Sequence, residues 1–126
     1  MRKQYHCRPS DKGRLIWDID TLIELSSEFE IVEIPLKEIS EIDESYWFDS
    51  GDLPNCRSIA EHAKLIEQAD LSYPIILCSN RRVMDGMHRV VKALSRGETH
   101  IKAVRFEETP KPDHLDVDLS ELPYDD

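Results

Sequence analysis

The sequence predicts an α+β fold in which a small mixed sheet packs against helices. Two segments, residues 57–69 and 86–96, repeat apolar residues at the spacing of one helix face. Two shorter segments, residues 75–78 and 101–106, have the β-branched or alternating pattern of strands. With 126 residues, of which 40% are hydrophobic and 33% charged, the chain is long enough for one domain with its own core.

The first 30 residues predict an N-terminal extension. Residues 1–13 are polar and contain a proline and a glycine, which indicates an irregular arm. Residues 14–17 predict a short strand, and Asp20 or Thr21 can cap a short helix after it.

Residues 31–106 predict the central domain, whose first strand lies in the alternating segment 29–34. Aromatic residues at 46–48 then lead into a turn-rich loop that contains Asp49 and Asp52. Loops on a rigid scaffold often carry function, although an ordinary solvated turn also accounts for these two aspartates.

The first long helix is predicted at residues 57–69, with Ile59, Ala63 and Ile66 on its core face. The apolar run 75–78 that follows is short and β-branched, which favours a strand buried on both faces. A tight turn after it leads into the second strand of a hairpin.

The second long helix begins near Gly86 and stops at Gly97, a residue type common just past a helix end. Its apolar stripe consists of Met87, Val90, Val91 and Leu94. Residues 101–106 then form the closing strand.

Residues 107–126 form an acidic C-terminal tail with three prolines. Such a segment is either laid across the domain or partly disordered. Leu122 and Tyr124 stand among its acids, as in a segment that docks on a partner protein.

The charge of the chain divides unevenly. The net charge is −10, but residues 81–106 hold 7 of the 16 basic and only 2 of the 26 acidic side chains. A general DNA-binding role is not expected, since basic side chains dominate affinity for nucleic acid. A compact basic segment in an acidic protein fits a small anionic ligand better than a duplex.

That basic segment contains the motif Asp85-Gly86-Met87-His88-Arg89 at the predicted start of the second helix. A helix N-terminus attracts anions through its unpaired amides and the positive end of its dipole. His88 and Arg89 would add donors and charge suited to phosphate, and Gly86 would allow a phosphate to approach closely.

Each residue of the motif also has a structural interpretation. Asp85 can be the helix N-cap, or it can act as a general base or orient a metal-bound water. Met87 is best explained by core packing, and Arg89 can be a surface charge. No permanent metal site or nucleophile is predicted: the five histidines are scattered, and burial would raise the pKa of the Cys78 thiol.

The element order and this motif resemble the ParB/sulfiredoxin superfamily over residues 31–106. The resemblance implies that Gly86, Met87, His88 and Arg89 bind nucleotide phosphates, with Arg57 assisting. Met87 stands where sulfiredoxins carry their nucleophilic cysteine, so their reaction is not expected. ParB proteins continue into a DNA-binding module, and the short acidic segment after the last strand does not fit one.

The Asp-Gly-x-His-Arg form looks most like the free-serine kinase branch of that superfamily. The resemblance then implies an ATP-dependent small-molecule phosphotransferase, with Asp49 or Asp52 as the base by position in the chain. Asp85 is the further catalytic candidate, and any of the three would activate the acceptor or hold Mg²⁺. ATP or another nucleotide, with Mg²⁺ if it arrives with the nucleotide, would be the cofactor.

The alternative is a non-catalytic domain that senses a nucleotide and interacts with a protein partner through the acidic tail. A nuclease reading is weakest, because the charge is acidic and no cluster of metal-binding carboxylates is present. We expect a cytoplasmic protein, since no secretory signal or membrane span is apparent and the three cysteines follow no disulfide pattern.

Overall fold

A computed structural model describes residues 3–48 and 53–123 of the chain. Asp49, Asp52 and Tyr124 therefore lie outside the described residues. The described part contains three α-helices and two small β-sheets, which is compatible with the α+β class expected from the sequence. The strands are β1 (Tyr5–Arg8), β2 (Leu15–Asp18), β3 (Val32–Pro35), β4 (Ile75–Leu77), β5 (Val83–Asp85), β6 (His100–Arg105) and β7 (His114–Leu115), and the helices are α1 (Ile19–Leu25), α2 (Cys56–Gln68) and α3 (Met87–Ser95).

The larger sheet is mixed and has the strand order β3-β6-β4-β5. Strand β6 is antiparallel to β3 and parallel to β4, and β4 forms the predicted hairpin with β5. Both faces of β4 are covered: Ile75 and Leu77 join the cluster under α3, whereas Ile76 and the following Cys78 join a second cluster on the opposite face. This double burial explains the continuous apolar run in the sequence.

The N-terminal segment contains more regular structure than the predicted irregular arm. Strand β1 pairs with β2, and β2 pairs with β7 to complete the smaller sheet. Gly13 lies between β1 and β2 with a φ of +107°, a conformation that glycine adopts without strain. The second core cluster also takes Trp17, Ile19 and Leu22 from this segment, so it is packed against the larger sheet.

Helix α1 begins at Ile19, one residue before the predicted caps. Its N-cap is Asp18, whose carboxylate accepts a hydrogen bond from the Asp20 backbone amide at 2.9 Å. The prediction of Asp20 or Thr21 as the cap was wrong, because β2 runs directly into the helix and places Asp18 at the junction.

The described part of the C-terminal segment is laid across the domain. Strand β7 extends the smaller sheet, and the indole nitrogen of Trp17 donates to the Pro110 carbonyl at 2.8 Å. Leu122 is buried, and the Tyr5 hydroxyl donates to the Pro123 carbonyl. Leu122 therefore packs within its own chain and is not exposed for a partner.

The apolar stripes of the two long helices differ from the predicted ones. In α2, Ile59 is 56% exposed and Ala63 is exposed, whereas Ile66 is half-buried. The helix packs mainly on α3, where His62 contacts His88. In α3, Met87 and Val90 are buried as predicted. Ala93 completes that face, whereas Leu94 is 47% exposed. Among the described residues, no helix is long and apolar enough to cross a membrane.

Candidate functional site

The motif predicted to bind phosphate lies where β5 runs directly into α3. Gly86 is the helix N-cap and has a φ of +106°. A Cβ atom at this position would lie 2.7 Å from Cγ2 of Ile75, so both the conformation and the space require glycine. The N-cap provides no side-chain acceptor, and the first-turn amides of a helix have no acceptor within it. The amides of Met87, His88 and Arg89 are therefore the donors that the N-terminus of α3 offers.

Asp85 is not the helix cap, which corrects one of its two sequence interpretations. It is the last residue of β5, and its carboxylate accepts a hydrogen bond from the Arg89 guanidinium at 2.8 Å. The left-handed backbone at Gly86 gives the cap position to the glycine, and Asp85 contacts the first turn through the Arg89 side chain instead.

Arg89 is held by three acceptors. Besides Asp85, its guanidinium donates to the carbonyls of Tyr73 at 3.1 Å and Pro74 at 2.6 Å. The side chain thus fastens the loop before β4 to the start of α3. Its charge is largely matched by Asp85, so a phosphate would meet a paired guanidinium and not a free one.

His88 belongs to an aromatic cluster, which we call the histidine–tryptophan stack (Trp47, His62 and His88). The Nδ1 atom of His62 lies 2.9 Å from Nε2 of His88, at hydrogen-bond distance. The Trp47 ring stacks on both imidazoles, with centroid distances of 4.3 Å to His62 and 4.4 Å to His88. Burial, together with the neighbouring His62, lowers the pKa of His88 to about 4. His88 is therefore neutral near pH 7 and contributes no positive charge to the site.

The N-terminus of α3 opens into a cleft of about 710 Å³. Part of its lining comes from α1 and the chain after it, including Ile23, Phe29 and Ile31. Another part comes from the end of α2 and the chain after it, including Leu65 and Tyr73. A cleft of this size with apolar walls and a few polar groups is typical of small-molecule sites.

The charged side chains that line the cleft are mostly acidic. They are Asp20, Asp70, Asp85 and Arg89. Hydrogen bonds from Ser72 to the Asp70 carboxylate lower the pKa of Asp70, which is therefore ionised near pH 7. The basic segment 81–106 contributes only Asp85, Gly86, His88, Arg89 and Val104 to the lining, and the side chains that line the cleft carry more negative than positive charge.

Two of the remaining predicted site residues, Arg57 and the side chain of Met87, are not brought into this contact network. Arg57 is exposed in the first turn of α2 and makes no hydrogen bond or ion pair within residues 3–48 and 53–123. The Met87 side chain is buried in the cluster under α3, so only its amide faces the helix end. Asp49 and Asp52 lie outside the described residues. Phe48, the last described residue before them, packs edge-on against His62.

Trp47 and His62 were missed by the sequence reasoning. The aromatic run at 46–48 was noted as an anchor, but its partner His62 is on another element and shares no motif with it. The expectation for Cys78 was wrong. Burial would raise the pKa of its thiol, but Arg8 and the backbone amides of Arg82 and Asn80 outweigh that effect and lower it.

No group of three metal-binding side chains is assembled anywhere in the described part of the chain. In comparisons with known proteins, neither a family model nor a curated protein nor a solved structure matches the chain.

Proposed function

We propose that this protein is a ParB/sulfiredoxin-like domain that binds a nucleotide or another phosphorylated small molecule. The phosphate would lie on the amides of Met87, His88 and Arg89, and the rest of the ligand would extend into the cleft. The single observation that carries the proposal is that an α-helix N-terminus without a side-chain cap opens into a cleft of about 710 Å³. Helix N-termini of this kind favour anions through their donors and dipole.

Gly86 is explained by its left-handed backbone and by the contact that a Cβ would make with Ile75, so it adds no separate support for a ligand. His88 and Arg89 have a different role from the one that the sequence suggested. Neutral His88 and paired Arg89 hold the first turn in position, while the backbone supplies the donors. Arg57 would assist only if the ligand reaches the exposed first turn of α2.

Amide chemical shifts test this proposal directly, because they report on the proposed donors themselves. In a titration with inorganic phosphate and with ATP, ADP, CTP and GTP, each with and without Mg²⁺, at least one probe should shift the amides of residues 87–89 saturably. The amides of residues 93–95 at the opposite end of α3 should stay unchanged. Absence of any saturable shift in a folded sample, or shifts confined to other elements, would refute the proposal.

A second candidate function is phosphoryl transfer from ATP to a small acceptor. What favours it is the location of Asp85 in the cleft beside the proposed phosphate site. The acceptor hydroxyl would give its proton to a carboxylate (Asp85, Asp49 or Asp52) while its oxygen attacks the γ-phosphorus and ADP leaves. Such a reaction depends mainly on positioning and charge stabilisation, and Mg²⁺ would enter with the nucleotide.

Consumption of ATP with Mg²⁺ and a pool of small hydroxyl compounds measures this activity. With Asp85 as the base, Asp85→Asn should abolish turnover yet retain nucleotide binding, and His88→Ala provides a second low-activity control. Nucleotide loss that is equal in the parent and in both variants would exclude catalysis at this site.

The non-catalytic alternative is a nucleotide sensor that signals to a protein partner. The acidic C-terminal tail would be the contact, but it would act through its exposed acids because Leu122 is buried. A partner captured equally well by a chain lacking residues 116–126 would remove the tail from this proposal. A cytoplasmic location stays a prediction from the sequence.

A further inference from the structure

The cleft combines apolar side chains with a polar end at the N-terminus of α3, and this difference bears on which phosphorylated ligand fits it. Five apolar side chains of the lining remain substantially exposed: Ile23, Phe29, Ile31, Leu65 and Tyr73. They come from α1, from α2 and from the chain after each helix, so an apolar group in the cleft would remove part of their surface from water. Such burial is worth roughly 25 cal/mol per Å² of apolar surface.

The polar end offers donors for only a small anion. The amides of the first turn of α3 and the helix dipole together amount to about half a positive charge. Arg89 already donates to Asp85 and two carbonyls, and His88 is neutral near pH 7. No further cationic side chain lines the cleft among the residues that the structure describes.

Beyond that end, an extended anion meets a carboxylate. Asp70 and Asp20 both line the cleft, but Lys3 lies 3.3 Å from the Asp20 carboxylate and largely matches its charge, whereas Asp70 forms no ion pair within the described residues. Like charges repel more strongly near a protein surface than in bulk water, because the effective dielectric constant is lower. Each phosphate after the first therefore adds repulsion without gaining a donor.

We propose that the cleft selects a phosphomonoester with an aromatic or apolar body, such as a nucleoside monophosphate, over a nucleoside triphosphate. This inference rests on the proposed function, since it places the single phosphate at the N-terminus of α3. The apolar body contacts the apolar part of the lining, which includes Ile23, Phe29, Leu65 and Tyr73. The charge of Asp70 disfavours longer phosphate chains.

Calorimetric titration with inorganic phosphate, AMP and ATP without Mg²⁺ tests the selection. AMP should bind at least about tenfold more tightly than either of the other two, a difference of about 1.4 kcal/mol. Asp70→Asn should reduce the ratio of the AMP affinity to the ATP affinity by about threefold or more, since it removes one repelling charge. ATP that binds as tightly as AMP in the parent protein would overturn the single-phosphate selection.

A matched pair of variants on α2 tests the apolar body. Leu65 lines the cleft and is 44% exposed, whereas Ile59 is 56% exposed on the same helix and does not line it. Leu65→Ala should weaken the binding of AMP several-fold and leave the affinity for inorganic phosphate unchanged. Ile59→Ala should alter neither affinity. Equal AMP affinity in both variants and the parent would overturn the apolar subsite, even if phosphate binds at α3. Failure of every probe to bind would overturn the proposed function together with this inference.

Discussion

Neutral His88 has a measurable consequence for stability in acid. Burial and the neighbouring His62 lower its pKa from 6.5 to about 4 in the folded chain. Below pH 6.5 the His88 imidazole therefore binds a proton in the unfolded chain, whereas in the folded chain it binds one only near pH 4. The contribution of His88 to the free energy of unfolding is therefore fully present above pH 6.5 and is lost as the pH falls toward 4.

The size of this loss follows from the pKa difference, since one pKa unit corresponds to about 1.4 kcal/mol. Between pH 7 and pH 5, a group with these two pKa values loses about 2 kcal/mol of folding free energy. Because the ring is only partly buried and solvent screens it, we expect roughly 1–2 kcal/mol. The pKa of His6 is also lowered to about 4, by burial and by Arg8, so His6 adds a similar loss of folding free energy in acid. That loss is the same in every variant compared below and therefore cancels.

Urea denaturation at pH 7 and pH 5 measures this effect in the parent, in His88→Gln and in His100→Gln. His100 is exposed at the start of β6 and lies outside the histidine–tryptophan stack, so it is the matched control. His88→Gln should reduce the acid-induced loss by roughly 1–2 kcal/mol, and His100→Gln should keep the parental loss. An NMR titration of the His88 ring with a midpoint at 6 or above, or equal losses in all three proteins, would refute a neutral His88.

Three further predictions concern the groups that hold the site in shape, each measured as the free energy of unfolding in urea. Gly86→Ala should cost about 3 kcal/mol or more because a Cβ there would meet a β4 side chain at 2.7 Å. Gly97→Ala, also at positive φ but with open space around it, should cost only about 1–2 kcal/mol, so equal costs would contradict the steric argument. Lys92→Met should cost about 1–3 kcal/mol, since Lys92 donates to two carbonyls at the end of α2; a neutral effect would show that α2 needs no such cap. Glu41→Leu should cost about 1–3 kcal/mol because the buried carboxylate accepts from a β5 amide, whereas Glu44→Leu on the surface should cost less than about 1 kcal/mol; the reverse order would contradict the burial argument.

Those parts of the fold that depend on local pattern could be predicted from the sequence. Strand β4 and both long helices were located within one or two residues, because burial on both faces and helical spacing leave local signals. The motif at the start of α3 was located for the same reason. Strand β1 was missed, because its polar residues become a strand only when β2 folds back beside them.

The roles of the site residues could not be predicted, since each depends on a contact distant in sequence. The Arg89 guanidinium donates hydrogen bonds to the carbonyls of Tyr73 and Pro74, and no local sequence pattern predicts these contacts. The pKa of His88 falls to about 4 because the ring is partly buried, with Trp47 stacked on it, and because α2 brings His62 beside it. The sequence predicted charged donors at the helix end. The tertiary contacts keep His88 neutral and occupy the guanidinium of Arg89.

Arg89 has a double role that determines how the site can be probed. Its guanidinium fixes the loop carrying Tyr73, one wall of the cleft, and at the same time matches the charge of Asp85. Removing Arg89 would therefore displace the wall and leave Asp85 uncompensated, so reduced binding in such a variant would not identify a phosphate contact. The backbone amides are the only first-turn donors whose contribution can be separated from the shape of the cleft. For that reason, amide shifts on ligand titration discriminate between a phosphate site and a purely structural helix junction, whereas loss of affinity in Arg89→Ala does not.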